Sequence, residues 1–394
     1  MRPEVVYVWI FFGLFLATLS FMHFSRIRFT TAKPYQIRAS FPPLVILPDY
    51  QKGPPVHASA ALLLETQSGA VLYAKNAEER RAPASTTKMM TAIVALECGD
   101  LNKVVEVSPR AARTPGSSIY LRPKDRLKLK ELLKGMMLQS GNDGSMAVAE
   151  GVSGSVENFV RLMNRKAKEI GALNTNFRNP HGLRAPSHYT TVLDLALIAR
   201  YGLTNPVFAD LVQQKQAVLE WMERRRQLEV RNTNRLLWYL EGADGVKTGT
   251  TNEAGHCLVA SATRDGKQFI AVVLNSRDRW GDCQRLLEYG FREFVIVKVA
   301  AARQPAYRIP VKDGADNFVK VYPRRDLVAV VRKGQADGIL RKITIFKEPV
   351  AAPLRIAQTL GRIGYQFQGR MVEGVDLVNR EPVPVKKRFW RFFE

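Results

Sequence analysis

Pro83-Ala84-Ser85-Thr86-Thr87-Lys88-Met89-Met90 sets a hydroxyl and an amine three residues apart at the head of an apolar, helix-spaced run. Positions three apart share one face of a helix, so Ser85 and Lys88 come within reach of each other as a nucleophile beside a base. The spacing predicts a helix over 86–96, with Ser85 at its start. There the positive helix end and free backbone N–H groups would stabilise an oxyanion. Alone the pattern is weak, because a Ser-x-x-Lys match arises by chance about once in a chain of this composition. Ser85 also reads as a simple helix N-cap.

Two further elements raise its weight. Ser140-Gly141-Asn142 closes the apolar run Leu132 to Leu138. Lys247-Thr248-Gly249, followed by Thr250-Thr251, stands just before a strand pattern. Three such elements in this order belong to the penicillin-binding proteins and β-lactamases. From about residue 57 onward the chain resembles the low-molecular-mass D-alanyl-D-alanine carboxypeptidases, penicillin-binding serine peptidases of family S11. The matching stretches are Pro83 to Met90, Ser140-Gly141-Asn142-Asp143, Asn179-Pro180-His181-Gly182-Leu183 and Lys247 to Asn252. Gly144 and Ser145 stand where that family usually has alanines, and the C-terminal tail is shorter than its usual amphipathic helix.

The resemblance implies an α+β architecture: a β-lactamase/DD-peptidase-like catalytic domain, an antiparallel sheet flanked by helices, followed by a small all-β C-terminal domain. It implies that Ser85 attacks the carbonyl between two terminal D-alanines of a peptidoglycan stem peptide and forms an acyl-enzyme that water hydrolyses. Lys88 serves as general base if burial and a second cation such as Lys247 lower its pKa. Ser140 relays a proton to the leaving amine, and Asn142 holds either Lys88 or the substrate amide. Lys247, Thr248, Gly249 and Thr250 bind substrate, and the backbone N–H groups of Ser85 and Thr250 form the oxyanion hole. β-Lactams are then expected as covalent inhibitors. His181, in a Pro-His-Gly turn, reads as a loop brace rather than a second base. No His, Cys or carboxylate cluster has metal-ligand spacing, so neither metal nor cofactor is expected.

Five segments follow: an N-terminal membrane anchor or signal (1–28), a Pro-rich linker (29–56), the catalytic domain (57–298), a small β domain (299–382) and a basic-aromatic tail (383–394). Ala61 to Leu64 and Ala70 to Tyr73 read as strands joined at Gln67-Ser68-Gly69, and the stretch to about residue 205 is largely helical. Gly255 to Thr263 and Gln268 to Asn275 form a hairpin across Arg264-Asp265-Gly266-Lys267, with a helix over 281–294.

Composition adds the compartment. The 394 residues carry 59 Lys and Arg against 36 Asp and Glu, a net charge of +23 that favours a polyanionic partner or reflects a basic proteome. Residues 299–394 alone hold 19 basic against 9 acidic side chains, which concentrates part of that charge in the last quarter. Val5 to Phe24 lacks any charged residue and, as a helix, spans about 30 Å, enough to cross a bilayer. It lacks a small-residue cleavage site, which favours an uncleaved anchor in the cytoplasmic membrane with the catalytic domain outside. Arg26, Arg28 and Lys33 after the span weakly oppose that orientation, and the external substrate overrides them. Cys98, Cys257 and Cys283 read as buried thiols, with a Cys257–Cys283 bridge left open.

Three alternatives compete. A class A β-lactamase needs a deacylating carboxylate, and residues 174–190 contain none. A D,D-endopeptidase or transpeptidase breaks the same bond type, and a non-hydrolytic β-lactam-sensing or wall-binding protein needs no paired lysines. A nucleic-acid partner is disfavoured, since basic and aromatic residues interleave only at the extreme C-terminus.

Overall fold

The computed structural model of the chain describes residues 44–46, 50–222 and 227–387. The segment Val5 to Phe24, most of the Pro-rich stretch and the tail from Arg388 onward lie outside them. Among the described residues no helix is long and apolar enough to cross a membrane.

The run read as the first strand forms β1 (Ala60–Glu65), which turns into β2 (Ala70–Lys75). Leu62 and Leu64 enter a core on one face of the sheet while Ala61 and Leu63 enter a second core on the other. Burial on both faces is why this strand reads as a continuous apolar run instead of alternating.

The first helix, α1 (Lys88–Cys98), starts two residues later than the spacing implies. Ala84 to Thr87 instead form a 3₁₀ turn, tightened by Thr86 N–H donating to the Pro83 carbonyl at 3.3 Å. The positive φ of Ala84, 47°, bends the chain there, so Ser85 projects from a turn and is not an N-cap. Residues Lys88 to Leu96 are all buried, which accounts for the apolar wrap-around of the sequence.

Helices α2 (Leu129–Leu138), α3 (Asn142–Ser153), α4 (Val156–Ile170) and α5 (Val192–Leu203) pack with α1 into a lobe on one face of the sheet. Ser155 and Thr191 cap α4 and α5 by accepting from the N–H groups of Asn158 and Asp194.

Strands β3 (Ala243–Thr251), β4 (Gly255–Arg264) and β5 (Lys267–Leu274) complete the sheet, in the order Val45–Ile46, β2, β1, β5, β4, β3. Lys247-Thr248-Gly249, read as lying just before a strand, is therefore inside β3, the edge strand. Its small and polar residues serve the cleft, and that hides the strand signal. Helix α6 (Arg279–Glu293) covers the second face, capped by the Asp278 carboxylate accepting from Gly281 N–H at 3.0 Å. Cys257 packs on the lobe side of the sheet and Cys283 on the α6 side; both are free, so the sheet separates the thiols whose bridge was left open.

Beyond α6, Phe294–Ala300 pairs with Leu327–Arg332, so residue 298 lies within a strand. A six-stranded sheet with its own core around Ile309, Val321, Ile363 and Leu377 follows. Arg332 donates to the Tyr289 hydroxyl at 2.9 Å and lies over the Phe294 ring, which fastens these strands to α6.

Candidate active site

The 3₁₀ turn, α1, the α2–α3 junction and edge strand β3 converge on one point. Lys88 is fully buried, and its Nζ lies 2.9 Å from Ser85 Oγ, 2.7 Å from Asn142 Oδ1 and 2.8 Å from the His181 carbonyl oxygen. The last two groups are acceptors only. A neutral Lys88 amine donates its two N–H groups to them and has one donor left for its lone pair, the Ser85 hydroxyl.

The electrostatics favour that neutral form. Burial holds the Lys88 ammonium well below the usual lysine range, and the Lys247 cation pushes the same way, against the Asp143 carboxylate. Lys247, 1% exposed, is itself drawn down to about 7 by burial and then by Arg279.

Asn142 contacts Lys88, one of the two partners the sequence offered it. Its Nδ2 donates to the Pro115 carbonyl at 2.7 Å, which turns Oδ1 toward Lys88. Asp143 fixes the junction from below: its buried carboxylate accepts from Ile119 N–H and Leu121 N–H at 3.1 and 3.0 Å and from Ser118 Oγ at 2.6 Å. Ser140, 6% exposed and at φ 64°, forms the bend before Asn142. Its hydroxyl bonds to neither lysine.

On β3, Gly249 faces the nucleophile turn and the Thr250 hydroxyl meets Arg279 at the start of α6. Thr248 Oγ1 lies 2.6 Å from Thr233 Oγ1. Gly249 sits so close to the turn that a Cβ there would stand 3.0 Å from both Ala84 Cβ and Ser85 N. The absence of a Cβ on Gly249 lets the strand touch the nucleophile turn.

The loop Asn179 to Leu183 forms the opposite wall. Pro180 O accepts from Thr91 Oγ1 at 2.6 Å, and Asn179 Oδ1 accepts from Gly182 N–H at 2.7 Å. The Nδ1 of His181 accepts from Leu183 N–H at 3.2 Å, and its ring, pushed down to about 3 by burial and then by Lys88, is neutral. His181 thus braces the loop and offers Lys88 its carbonyl.

Residues that sequence reasoning missed are Thr233 and, above all, Arg279; Gly182 stood in a matching stretch, but its close approach to the Ala84 carbonyl was not foreseen. The Arg279 guanidinium donates to Thr250 Oγ1 at 2.8 Å and to the Gly249 carbonyl at 3.1 Å. It lies 29 residues from Thr250, in a segment with no motif, and only its place at the start of a helix following the hairpin could have flagged it. Among the described residues no group of three His, Cys, Asp or Glu could hold a metal.

A sheet with a helical lobe on one face and α6 on the other, and a Ser-x-x-Lys pair in the cleft, defines a serine hydrolase of the penicillin-recognising class. A family profile described as D-alanyl-D-alanine carboxypeptidase, Peptidase_S11, matches residues 49–278, and one described as the C-terminal domain of penicillin-binding protein 5 matches 294–385. The chain is 35% identical to D-alanyl-D-alanine carboxypeptidase DacF of Bacillus subtilis strain 168, covering 80% of this chain and 83% of the relative. Against DacC of Escherichia coli K12 the identity is 34%, over 87% and 88% of the two chains. The crystal structure of penicillin-binding protein 5 from Haemophilus influenzae superposes with a TM-score of 0.76 at 30% identity, covering 84% of this chain and 99% of that one. The chain belongs to the D-alanyl-D-alanine carboxypeptidase family, S11.

Proposed function

We propose that Ser85 is the nucleophile and Lys88 its general base in the hydrolysis of the terminal D-Ala-D-Ala bond of peptidoglycan stem peptides. The enzyme is a serine-type D-alanyl-D-alanine carboxypeptidase. The observation that carries the residue assignment is the buried Lys88 amine, whose remaining hydrogen-bond partner is Ser85. Deprotonated Ser85 attacks the carbonyl and displaces D-alanine, leaving an ester on Oγ that water then cleaves. Backbone N–H groups of Ser85 and Thr250 bind the oxyanion, each donor being worth about 3 kcal/mol. Ser140 carries a proton to the leaving amine. Lys247, Thr248 and Arg279 receive the terminal carboxylate.

That assignment makes Arg279→Gln informative in two ways. Loss of a charge-assisted bond of roughly 1.5–3 kcal/mol raises KM about tenfold to a hundredfold. The profile of kcat/KM against pH rises as Lys88 loses its proton and falls as Lys247, near 7, loses its own. Without Arg279 one cause of the low Lys247 value disappears, so the falling limb moves to higher pH. A pH series of initial rates for both enzymes measures this, and an unmoved alkaline limb contradicts the Lys247 role.

Residues 1–28 are proposed as a membrane anchor that keeps the catalytic domain (57–298) and β domain (299–382) outside the cytoplasm, within reach of the wall. Support comes from the uncharged span Val5 to Phe24 and from the substrate's location. Alkaline carbonate extraction of the full chain tests it: an integral anchor stays with the membranes, and release into the supernatant refutes it.

A further inference from the structure

β3 is an edge strand, so a peptide can pair along it, and its two ends differ. Gly245 to Gly249 are buried, whereas Thr250, Asn252 and Glu253 are exposed. With the acyl carbonyl at the Thr250 N–H and the terminal carboxylate on its Lys247 side, where Arg279 bonds the Gly249 carbonyl, the acyl chain, which continues toward the wall polymer, leaves over Thr251. At about 3.3 Å per residue, a residue one or two positions upstream of the acyl D-alanine comes level with the end of the strand.

A cavity of about 460 Å³ opens at that point. It borders Ala82, which precedes the nucleophile turn, and is walled by Arg80, Arg81 and Arg184, with Glu253 as its one acidic lining residue. Arg80 is held over the Tyr189 ring and donates to Asn174 Oδ1 at 3.0 Å. The Nη2 of Arg81 pairs with Glu79 at 2.7 Å, while its buried Nε has no hydrogen-bond partner. Arg184, 83% exposed, meets Glu253 at only 3.6 Å. Such a hollow holds surplus guanidinium donors and a loose internal ion pair that an incoming anion can replace.

We propose that this cavity is an acyl-side subsite for a free carboxylate on the stem peptide, one or two residues upstream of the acyl D-alanine. The inference rests on the Ser85 reading, because that reading fixes the direction in which substrate lies. Arg184 and Arg80 contact the carboxylate, and Glu253 opposes it, setting a preference for one anionic group rather than for polyanions in general.

The test compares two donors with the full-length enzyme: acetyl-γ-D-glutamyl-(acetyl)Lys-D-Ala-D-Ala with its α-carboxylate free, and the same peptide with an α-carboxamide. The wild type prefers the carboxylate donor in kcat/KM. In Arg80→Gln with Arg184→Gln the ratio falls toward one, about fivefold for each partly exposed pair lost. Glu253→Gln moves the ratio the other way, which damage to the fold would not do. Equal rates for the two donors in the wild type overturn the subsite while leaving the Ser85 reading intact. A ratio unmoved in all variants does the same. Failure of the wild type to cleave either donor sinks both.

Discussion

Lys88→Met lowers kcat/KM for a D-Ala-D-Ala peptide by roughly 10²- to 10⁴-fold, the range of a lost general base, and makes the protein more stable at pH 7. Methionine is close to the lysine stem in volume and suits a site with no exposure. Its stabilising effect follows from the direction of the Lys88 shift. In the unfolded chain this amine titrates near 10.5, and in the folded chain well below it. Between the two values the unfolded chain binds more protons, so stability rises with pH, and below the folded value the penalty is present in full. Methionine has no proton to surrender on folding and so escapes that cost, less about 1–3 kcal/mol for leaving the buried Asn142 and His181 acceptors without their donor. That advantage shrinks as pH rises toward 10.5. Melting temperatures from pH 6 to 10 beside steady-state rates measure both effects. A methionine variant less stable at neutral pH, or one with wild-type rates, contradicts a neutral-amine base.

Gly182→Ala has the second largest effect, through position alone. Gly182 is at φ 91°, and a Cβ there would overlap the Ala84 carbonyl oxygen and come 3.0 Å from Ser85 N. Both atoms are backbone of the nucleophile turn, so either the turn or the Asn179 to Leu183 loop must move. A shift of about 1 Å at a reacting group costs on the order of 10²-fold in rate. Overpacking adds about 1–3 kcal/mol of instability, and the left-handed backbone about 1–2 kcal/mol more. Gly154→Ala separates these terms, because Gly154 is also left-handed, φ 77°, with nothing within 4 Å of a Cβ. It loses only the backbone term and keeps wild-type kcat/KM. Equal losses of activity in the two variants would show that Gly182 acts through global stability.

Much of this site was legible because it is built from short contiguous motifs. Ser85 and Lys88 lie three residues apart on one turn, and their pairing follows from helical spacing. Ser140 to Asn142 and Lys247 to Thr250 were also placed in the cleft, yet the details of each required the third dimension. Which way Asn142 faces is decided by Pro115, 27 residues away. Gly249 and Gly182 mark close approaches of backbone to backbone, and a glycine in sequence does not say what it approaches. Arg279 escaped notice because its partners, Thr250 and Gly249, are neighbours only after β4 and β5 fold between them. The sheet's core strands were readable from their apolar runs, whereas β3 was hidden because the residues that make it useful are not those that make a strand obvious.

The most direct measurement is mass spectrometry of the full-length enzyme with diacetyl-Lys-D-Ala-D-Ala, in wild type and Ser85→Ala, following both the product and the protein. The mechanism requires one D-alanine released per peptide by the wild type, an acyl adduct on the proteolytic fragment containing Ser85, and neither in the variant. Release of D-alanine by Ser85→Ala at an undiminished rate, or no release by a folded wild type, would contradict it.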